Sequence, residues 1–469
     1  MGKISAAYLM PHPPIIIPEV GRGEERKIQY TTDAFNKCGR HILDLKPETI
    51  IVITPHGPVF QDAISIMSEH KLSGNLARFG AARVAMSFEN DLELVQSIMD
   101  EAQRLGIPCI GIDRKTAAEY GISTSLDWGA TVPLYFVTKQ YRDFRLVHIS
   151  ISFLSYEELY VFGTAIRDAV ESLGRHVCII ASGDLSHRLK EDGPYGFHPM
   201  GPKLDKRIME LAEAGDVEGF FAMDPVMVNE GGECGLRSII IAMGSLDGYN
   251  ISSQVLSYEG PFGVGYGVAM FERQDKNEKR KLVDKLYKRK QQRMEKVREK
   301  EDIYVSLARR SLESYIRTGK IIEPDADLPG EMLEEKAGVF VSIKKNGQLR
   351  GCIGTVEPVR DNIAEEIIYN AISAGVRDPR FMPVDASELD DLVYSVDVLT
   401  KPEPIDSEDE LDPKRYGVIV KSGGRSGLLL PNLEGVNTVR EQIEIALQKA
   451  GIRSYEHYDL ERFEVIRHE

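Results

Sequence analysis

The chain has 469 residues, 42% hydrophobic, 28% charged and 8% aromatic, which is enough for two or three ordinary domains. Its 58 basic and 73 acidic residues leave a formal net charge of −15, which argues against a global nucleic-acid-binding surface. No run approaches the roughly 18–20 apolar residues that cross a bilayer, the start MGKISAAYLMPHPP has no secretory apolar stretch, and the five cysteines lack CxxC spacing, so a reduced cytoplasmic protein with neither a disulfide framework nor a zinc finger is expected.

In chain order, Ile4–Leu9 and Thr49–Thr54 read as buried strands, as do Arg145–Ile151 and Val177–Ala181. Glu24–Leu43, Asp91–Leu105 and Tyr156–Leu173 carry apolar residues at helical intervals. Val264–Phe271 reads as a closing strand whose glycines imply close backbone approach. This alternation predicts an α/β domain with a central, mostly parallel sheet over 1–272. Residues 273–300 hold 13 Lys/Arg against 5 Asp/Glu, with Leu282, Leu286, Met294 and Val297 at near-helical spacing. That stretch is expected to be a solvated basic helix linking two domains; an anionic partner surface is the sharper alternative.

Beyond it, Ile303–Arg317 predicts an amphipathic helix and PDADLPG a loop. Gly338–Lys344, the pair Asn346–Gly347 and Leu349–Ile353 make a strand–turn–strand signal. Ile363–Gly375 follows as a helix, Asp391–Thr400 as a strand, and Gly417–Lys421 with Gly427–Leu430 as a strand pair. A helix over Val436–Gly451 and a strand over Phe463–Ile466 complete a smaller α+β domain, 301–469.

The chemistry-bearing residues of the first domain follow strands. His12 stands in MPHPP, His56 in TPHGP and His187 in SGDLSH. Ligands of open α/β sheets bind beyond the carboxyl ends of strands, and imidazoles with a carboxylate suit iron, zinc or copper. Asp184, Glu230, Glu233 and Glu259 are the candidate carboxylates; Tyr195, His198 and Tyr266 are candidate pocket-lining groups. His41, His70, His148 and His176 lack such a setting and read as surface or core residues. No GxSxG elbow supports a hydrolase triad, and no GxGxxG supports a dinucleotide fold.

MPHPP, TPHGP and SGDLSH together resemble the LigB-type class III extradiol dioxygenases and the related Memo family, over about residues 3–272. The resemblance implies Fe(II), or another divalent metal or copper, held by His12, His56 and Glu233, with His187 as acid/base. The Memo pattern instead implies Cys234 at the metal, with Asp184 beside it, so Glu233, Cys234 and Asp184 all stand as third ligand. The implied reaction is extradiol opening of a catechol-like aromatic diol by O2. A catalytically divergent metal-binding scaffold is the alternative.

In the second domain, LRGCIGTV at 349–356, TKPEPI at 400–405 and SGGRSGLLLPNLEGV at 422–436 resemble the AMMECR family. The fusion resembles the A and B proteins of the AmmeMemoRadiSam system, which implies a radical-SAM protein as partner. Self-association into a homo-oligomer is also expected, and neither nucleic acid nor membrane. Arg350, Cys352 and Arg425 form the candidate site here: two cations for an anion, and a thiol whose thiolate they would favour.

Overall fold

The computed structural model describes residues 2–345, 347–433 and 435–469. Asn346 of the expected Asn-Gly turn lies outside them, while Gly347 has φ 80°, in the left-handed region a primed turn requires. The chain divides into two compact units, 1–288 and 289–469.

In the first unit the strands are β1 (Lys3–Met10), β2 (Thr49–Thr54), β3 (Ile64–Met67), β4 (Lys71–Leu76), β5 (Ala81–Glu89), β6 (Cys109–Ile112), β7 (Arg145–Ser150), β8 (His176–Ser182), β9 (Tyr249–Glu259) and β10 (Tyr266–Lys276). Eight of them form one sheet in the order β6-β3-β7-β2-β8-β1-β10-β9, and β4 and β5 pair separately as a hairpin. The centre is parallel, β7-β2-β8-β1, while β10 and β9 join antiparallel at one side.

TIIVIT shows why this sheet is buried on both faces. Ile51 and Ile53 enter one apolar cluster with the helix Tyr156–Leu173, whereas Ile50 and Val52 enter another with the helix Gln29–Leu45. Strand side chains alternate between faces, so an unbroken β-branched run can be satisfied only by a covered sheet. Tyr156–Leu173 starts on a capping box of Ser155 and Glu158 and stops at Gly174, φ 71°.

Several expectations shift at their edges. The helix expected from Glu24 begins with a 3-10 segment, Glu24–Ile28, before Gln29–Leu45. The closing strand runs Tyr266–Lys276 and pairs antiparallel with the unanticipated β9. Its glycines do mark close approach: a Cβ on Gly267 would lie 2.5 Å from Met209 Sδ.

The second unit adds β11 (Val339–Lys345), β12 (Gln348–Gly354), β13 (Leu392–Leu399), β14 (Glu403–Ile405), β15 (Gly417–Ser422), β16 (Arg425–Leu429), β17 (Asp459–Phe463) and β18 (Val465–His468). They form two antiparallel sheets, β12-β11-β13-β18 and β14-β17-β15-β16. The helices Ile303–Thr318 and Ile363–Val376 share the core of the first sheet, and Val439–Ala450 that of the second. The one expected terminal strand is two, broken at Glu464, so each half serves a different sheet. The fold is α/β in the first unit and α+β in the second.

The basic stretch contains the expected helix, Val283–Arg298, and most of its residues are exposed. Leu282 and Leu286 are buried in the first unit's core, and Asp247 accepts the Leu282 N–H at 2.7 Å. Within the second unit, Lys290 pairs with Asp391 at 2.6 Å. The segment is thus solvated along its polar face, while Leu282 and Leu286 and some of its cations are engaged. No helix among the described residues is long and apolar enough to cross a membrane.

Candidate metal centre

The three adjacent strands β2, β8 and β1 deliver their carboxyl ends to one place. His12 lies two residues past β1, His56 two residues past β2, and the loop Gly183–Asp184 directly past β8. The two imidazoles meet edge to face, with His12 Nε2 2.9 Å from His56 Nε2. Cys234 brings its Sγ to 3.6 Å from His12 Nε2. One ligand atom from each of the three lies within 4.8 Å of the others.

Backbone contact explains how Cys234 arrives there. A Cβ on Gly183 would fall 2.0 Å from Gly235 Cα, so the loop after β8 can touch the segment carrying Cys234 only because position 183 is glycine. Across this contact Cys234 N–H donates to the Asp184 carbonyl at 3.2 Å, and Asp184 N–H donates to Cys234 Sγ at 3.3 Å.

Hydrogen bonds orient His12. Ser182 Oγ lies 2.5 Å from the Gly129 carbonyl, which can only accept, and 2.9 Å from His12 Nδ1. The serine proton is thus committed to Gly129, and His12 Nδ1–H donates to Ser182, leaving the Nε2 lone pair aimed at His56 and Cys234. Burial lowers the pKa of His12 to about 4, and burial followed by the neighbouring His12 lowers that of His56 to about 4. Both rings are neutral at ordinary pH, the form that ligates. Burial, Asp184 and Glu233 together push the Cys234 thiol well above its ordinary value. A cation bound there would deprotonate the thiol on coordination. Metal–nitrogen bonds of about 2.0–2.1 Å and metal–sulfur bonds of about 2.3 Å separate neighbouring donors by roughly 3–3.6 Å, close to the 2.9 and 3.6 Å that part His12 from His56 and from Cys234.

The other expected residues divide. Asp184 accepts the His12 backbone N–H at 2.7 Å and keeps its second oxygen 3.9 Å from His12 Nε2; burial raises its pKa to about 6. Glu233 does not join the cluster. Its carboxylate accepts the Leu236 N–H at 2.5 Å, satisfying the first turn of the helix Leu236–Gly244. That local demand turns the side chain away and leaves its neighbour, Cys234, facing the imidazoles. Glu259 accepts from Thr31, and Glu230 lies by Arg188 and His198, so neither belongs to the cluster. His187 anchors its N–H on the Gly232 carbonyl and stacks on Tyr195, ring centroids 5.1 Å apart. Burial lowers its pKa, opposed by Asp184. It stands within electrostatic reach of the cluster without joining it.

Trp128 and Asp127 were not foreseen. The indole stacks on His56 at 4.1 Å and 22°. Asp127 caps the helix Trp128–Gln140, accepts from Thr54 Oγ1 at 2.8 Å and lies 2.7 Å from His148 Nε2. His148 is thus a buried core histidine, as expected. The only sequence signal was a lone tryptophan after an N-capping Asp, with no period to attach it to the site.

In the second unit the expected cluster does not form. Arg350, on β12, forks onto Glu388 at 2.9 and 3.0 Å. Arg425, on β16 of the other sheet, is held by Glu456 and the Gly451 carbonyl. Both are neutralised locally, which removes the basis for a shared anion site. Cys352 receives the Ser342 hydroxyl at 3.2 Å, and its N–H donates to Asp378 at 2.9 Å.

Comparison with known proteins agrees with this division. Residues 6–269 match the family described as the catalytic LigB subunit of aromatic ring-opening dioxygenase, and residues 305–468 match AMMECR1. A protein of Clostridium acetobutylicum is 50% identical over 467 residues, covering 99% of each chain. One from Thermotoga maritima is 53% identical over 167 residues, 35% of this chain and 96% of its own. Among solved structures, an uncharacterized protein from Pyrococcus horikoshii covers 36% of this chain and 90% of its own, at 38% identity and a TM-score of 0.34. An uncharacterized protein from Escherichia coli K12 covers 57% of this chain and 99% of its own, at 13% identity and a TM-score of 0.40.

Proposed function

Since this chain belongs to the LigB family over residues 6–269 and carries an AMMECR1 domain over 305–468, we propose that its first unit is a mononuclear metal centre ligated by His12, His56 and Cys234. The observation that carries this reading is the convergence of two neutral imidazoles and one thiol within 4.8 Å at adjacent strand ends. A thiolate in place of a carboxylate suits copper or iron and departs from the two-histidine, one-carboxylate set of many oxygenases. When bound, the metal supplies Lewis acidity and an electron-transfer site for a substrate.

The chain's own residues set the rest. Ser182 holds the His12 tautomer, and Asp184 supplies a carboxyl beside the donors. His187, outside the donor set but within electrostatic reach of it, would take a proton from a bound hydroxyl and return it. That placement and the LigB match favour a second reading, Fe(II)-dependent opening of a catechol-like diol. Metal analysis of anaerobically purified protein tests the first reading: about one ion per chain is expected, and none in the His12→Ala/His56→Ala variant. Oxygen uptake by the iron-loaded protein with a panel of catechols tests the second, and no uptake above the metal-free control removes it. The AMMECR1 domain is proposed to serve as a partner-recruiting module, with a radical-SAM protein as the partner to test by co-purification.

A further inference from the structure

From the buried ligand His12 the site opens outward through half-buried His56 and half-buried Trp128 to Arg78, which is exposed. The guanidinium carbon of Arg78 lies 4.5 Å from the Trp128 ring centroid and 5.4 Å from that of Phe79. Phe79 meets Trp128 edge to face at 6.0 Å. Arg78 is therefore held against rings, a contact that satisfies none of its N–H donors with an oxygen acceptor. No acceptor among the described residues lies within hydrogen-bond or ion-pair distance of it.

A second cation lies alongside. Arg22 Nη2 lies 3.5 Å from where a Cβ on Gly80 would be, two residues beyond Arg78. Arg22 has φ 49°, left-handed backbone that a non-glycine residue rarely adopts, and its guanidinium also has no acceptor among the described residues. What distinguishes Arg78 from other arginines without a carboxylate partner is its place on Trp128, whose ring also stacks on His56. Arg22 thus brings a second positive charge to the segment that carries Arg78, and an anion held by Arg78 would gain from both.

We propose that Arg78, supported by Arg22, is an anion-recognition subsite of the His12–His56–Cys234 centre, and that the molecule handled there carries a carboxylate or phosphate group. Trp128 links the two parts, with its ring against both a metal-ligand candidate and the cation. Naming this as the substrate subsite rests on the metal-centre reading; the anion affinity itself does not.

The full chain contains a single tryptophan, so its fluorescence reports on this stack alone. Metal-free and metal-loaded protein are titrated with benzoate, phenyl phosphate and uncharged benzyl alcohol, with metal content measured in parallel. At least one anion is expected to bind roughly ten-fold or more tightly than the alcohol, the yield of one charge-assisted pair, and the margin should shrink with added salt. Stronger binding of benzoate or of phenyl phosphate then identifies the group as carboxylate or phosphate. Arg78→Ala should lose the preference and keep its metal; Arg78→Lys should retain part of it, and Arg22→Ala should weaken it less. Equal binding of all three probes, no binding of any, or a preference surviving in the Arg78→Ala/Arg22→Ala variant overturns the subsite. Failure to retain metal while the anion preference persists overturns the metal centre instead.

Discussion

The exchange of neighbours at Glu233 and Cys234 is decided by one hydrogen bond. Glu233 satisfies an orphan N–H of a helix start, and a helix start takes the side chain whose oxygen reaches it. Cys234→Ser should therefore abolish stoichiometric metal binding, measured by metal analysis of anaerobic protein. Glu233→Ala should keep the metal and cost about 1 kcal/mol of stability, the usual worth of a capping contact; metal loss in that variant with Cys234 intact would return the ligand role to Glu233. His187→Ala should retain metal and lose about 10²–10⁴-fold in turnover if the ring moves a proton, once a substrate is in hand. Loss of metal would place His187 among the ligands. The histidines themselves were legible, because each follows a β-run and a strand end is where a ligand can sit. Which of the adjacent Glu and Cys faces them was not legible, because both lie in the same loop and only the packed helix start distinguishes them.

Among the elements, glycine contacts and edge protection carry the argument. Gly183→Ala would drive a Cβ to 2.0 Å from Gly235 Cα, against backbone that has nowhere to go. It should separate the two loops, destabilise the first unit by about 1–3 kcal/mol as overpacking does, and weaken metal binding with every ligand present. Urea unfolding with parallel metal titration measures both. In the second unit β12 is a sheet edge, and Asp378 covers it by accepting the Cys352 N–H. The Arg380 side chain foremost, with the backbone N–H groups of Cys352 and Arg380, holds the Asp378 carboxyl well below the usual carboxylate range. A depressed folded-state pKa contributes stability above the unfolded value, about 3.9, and that contribution is lost as pH falls toward the folded value. Asp378→Asn should thus destabilise the protein at neutral pH and flatten the acid limb below about pH 4. An acid limb identical to wild type by circular dichroism would show that Asp378 does not carry it. The helix Trp128–Gln140 escaped the sequence reading for a physical reason: buried almost all round, and with Pro133 inside, it shows no polar face to mark a period.

For the molecule as a whole, the useful cut lies inside the basic helix Val283–Arg298. A chain ending at residue 288 keeps Leu282 and Leu286 in the first unit's core, whereas one ending at 272 loses both. Burying one leucine is worth about 1.5–3 kcal/mol, so the longer fragment is expected to fold with its metal and the shorter to melt measurably lower by calorimetry. Equal melting would show that the two leucines merely rest on the surface. The sequence by itself determined the class of each unit, since unbroken β-branched runs such as TIIVIT demand a sheet covered on both faces and the residues following such runs lie at its ligand-binding edge. It also carried His12, His56 and His187 to that edge, with Cys234 left open beside Glu233 and Asp184. Only the tertiary structure brought Cys234 to His12, parted Arg350 from Arg425, and set Trp128 between His56 and Arg78. Those outcomes depend on contacts between segments far apart in the chain, on two glycines touching and one carboxylate turning to a helix end, and no local pattern of residues encodes such distances.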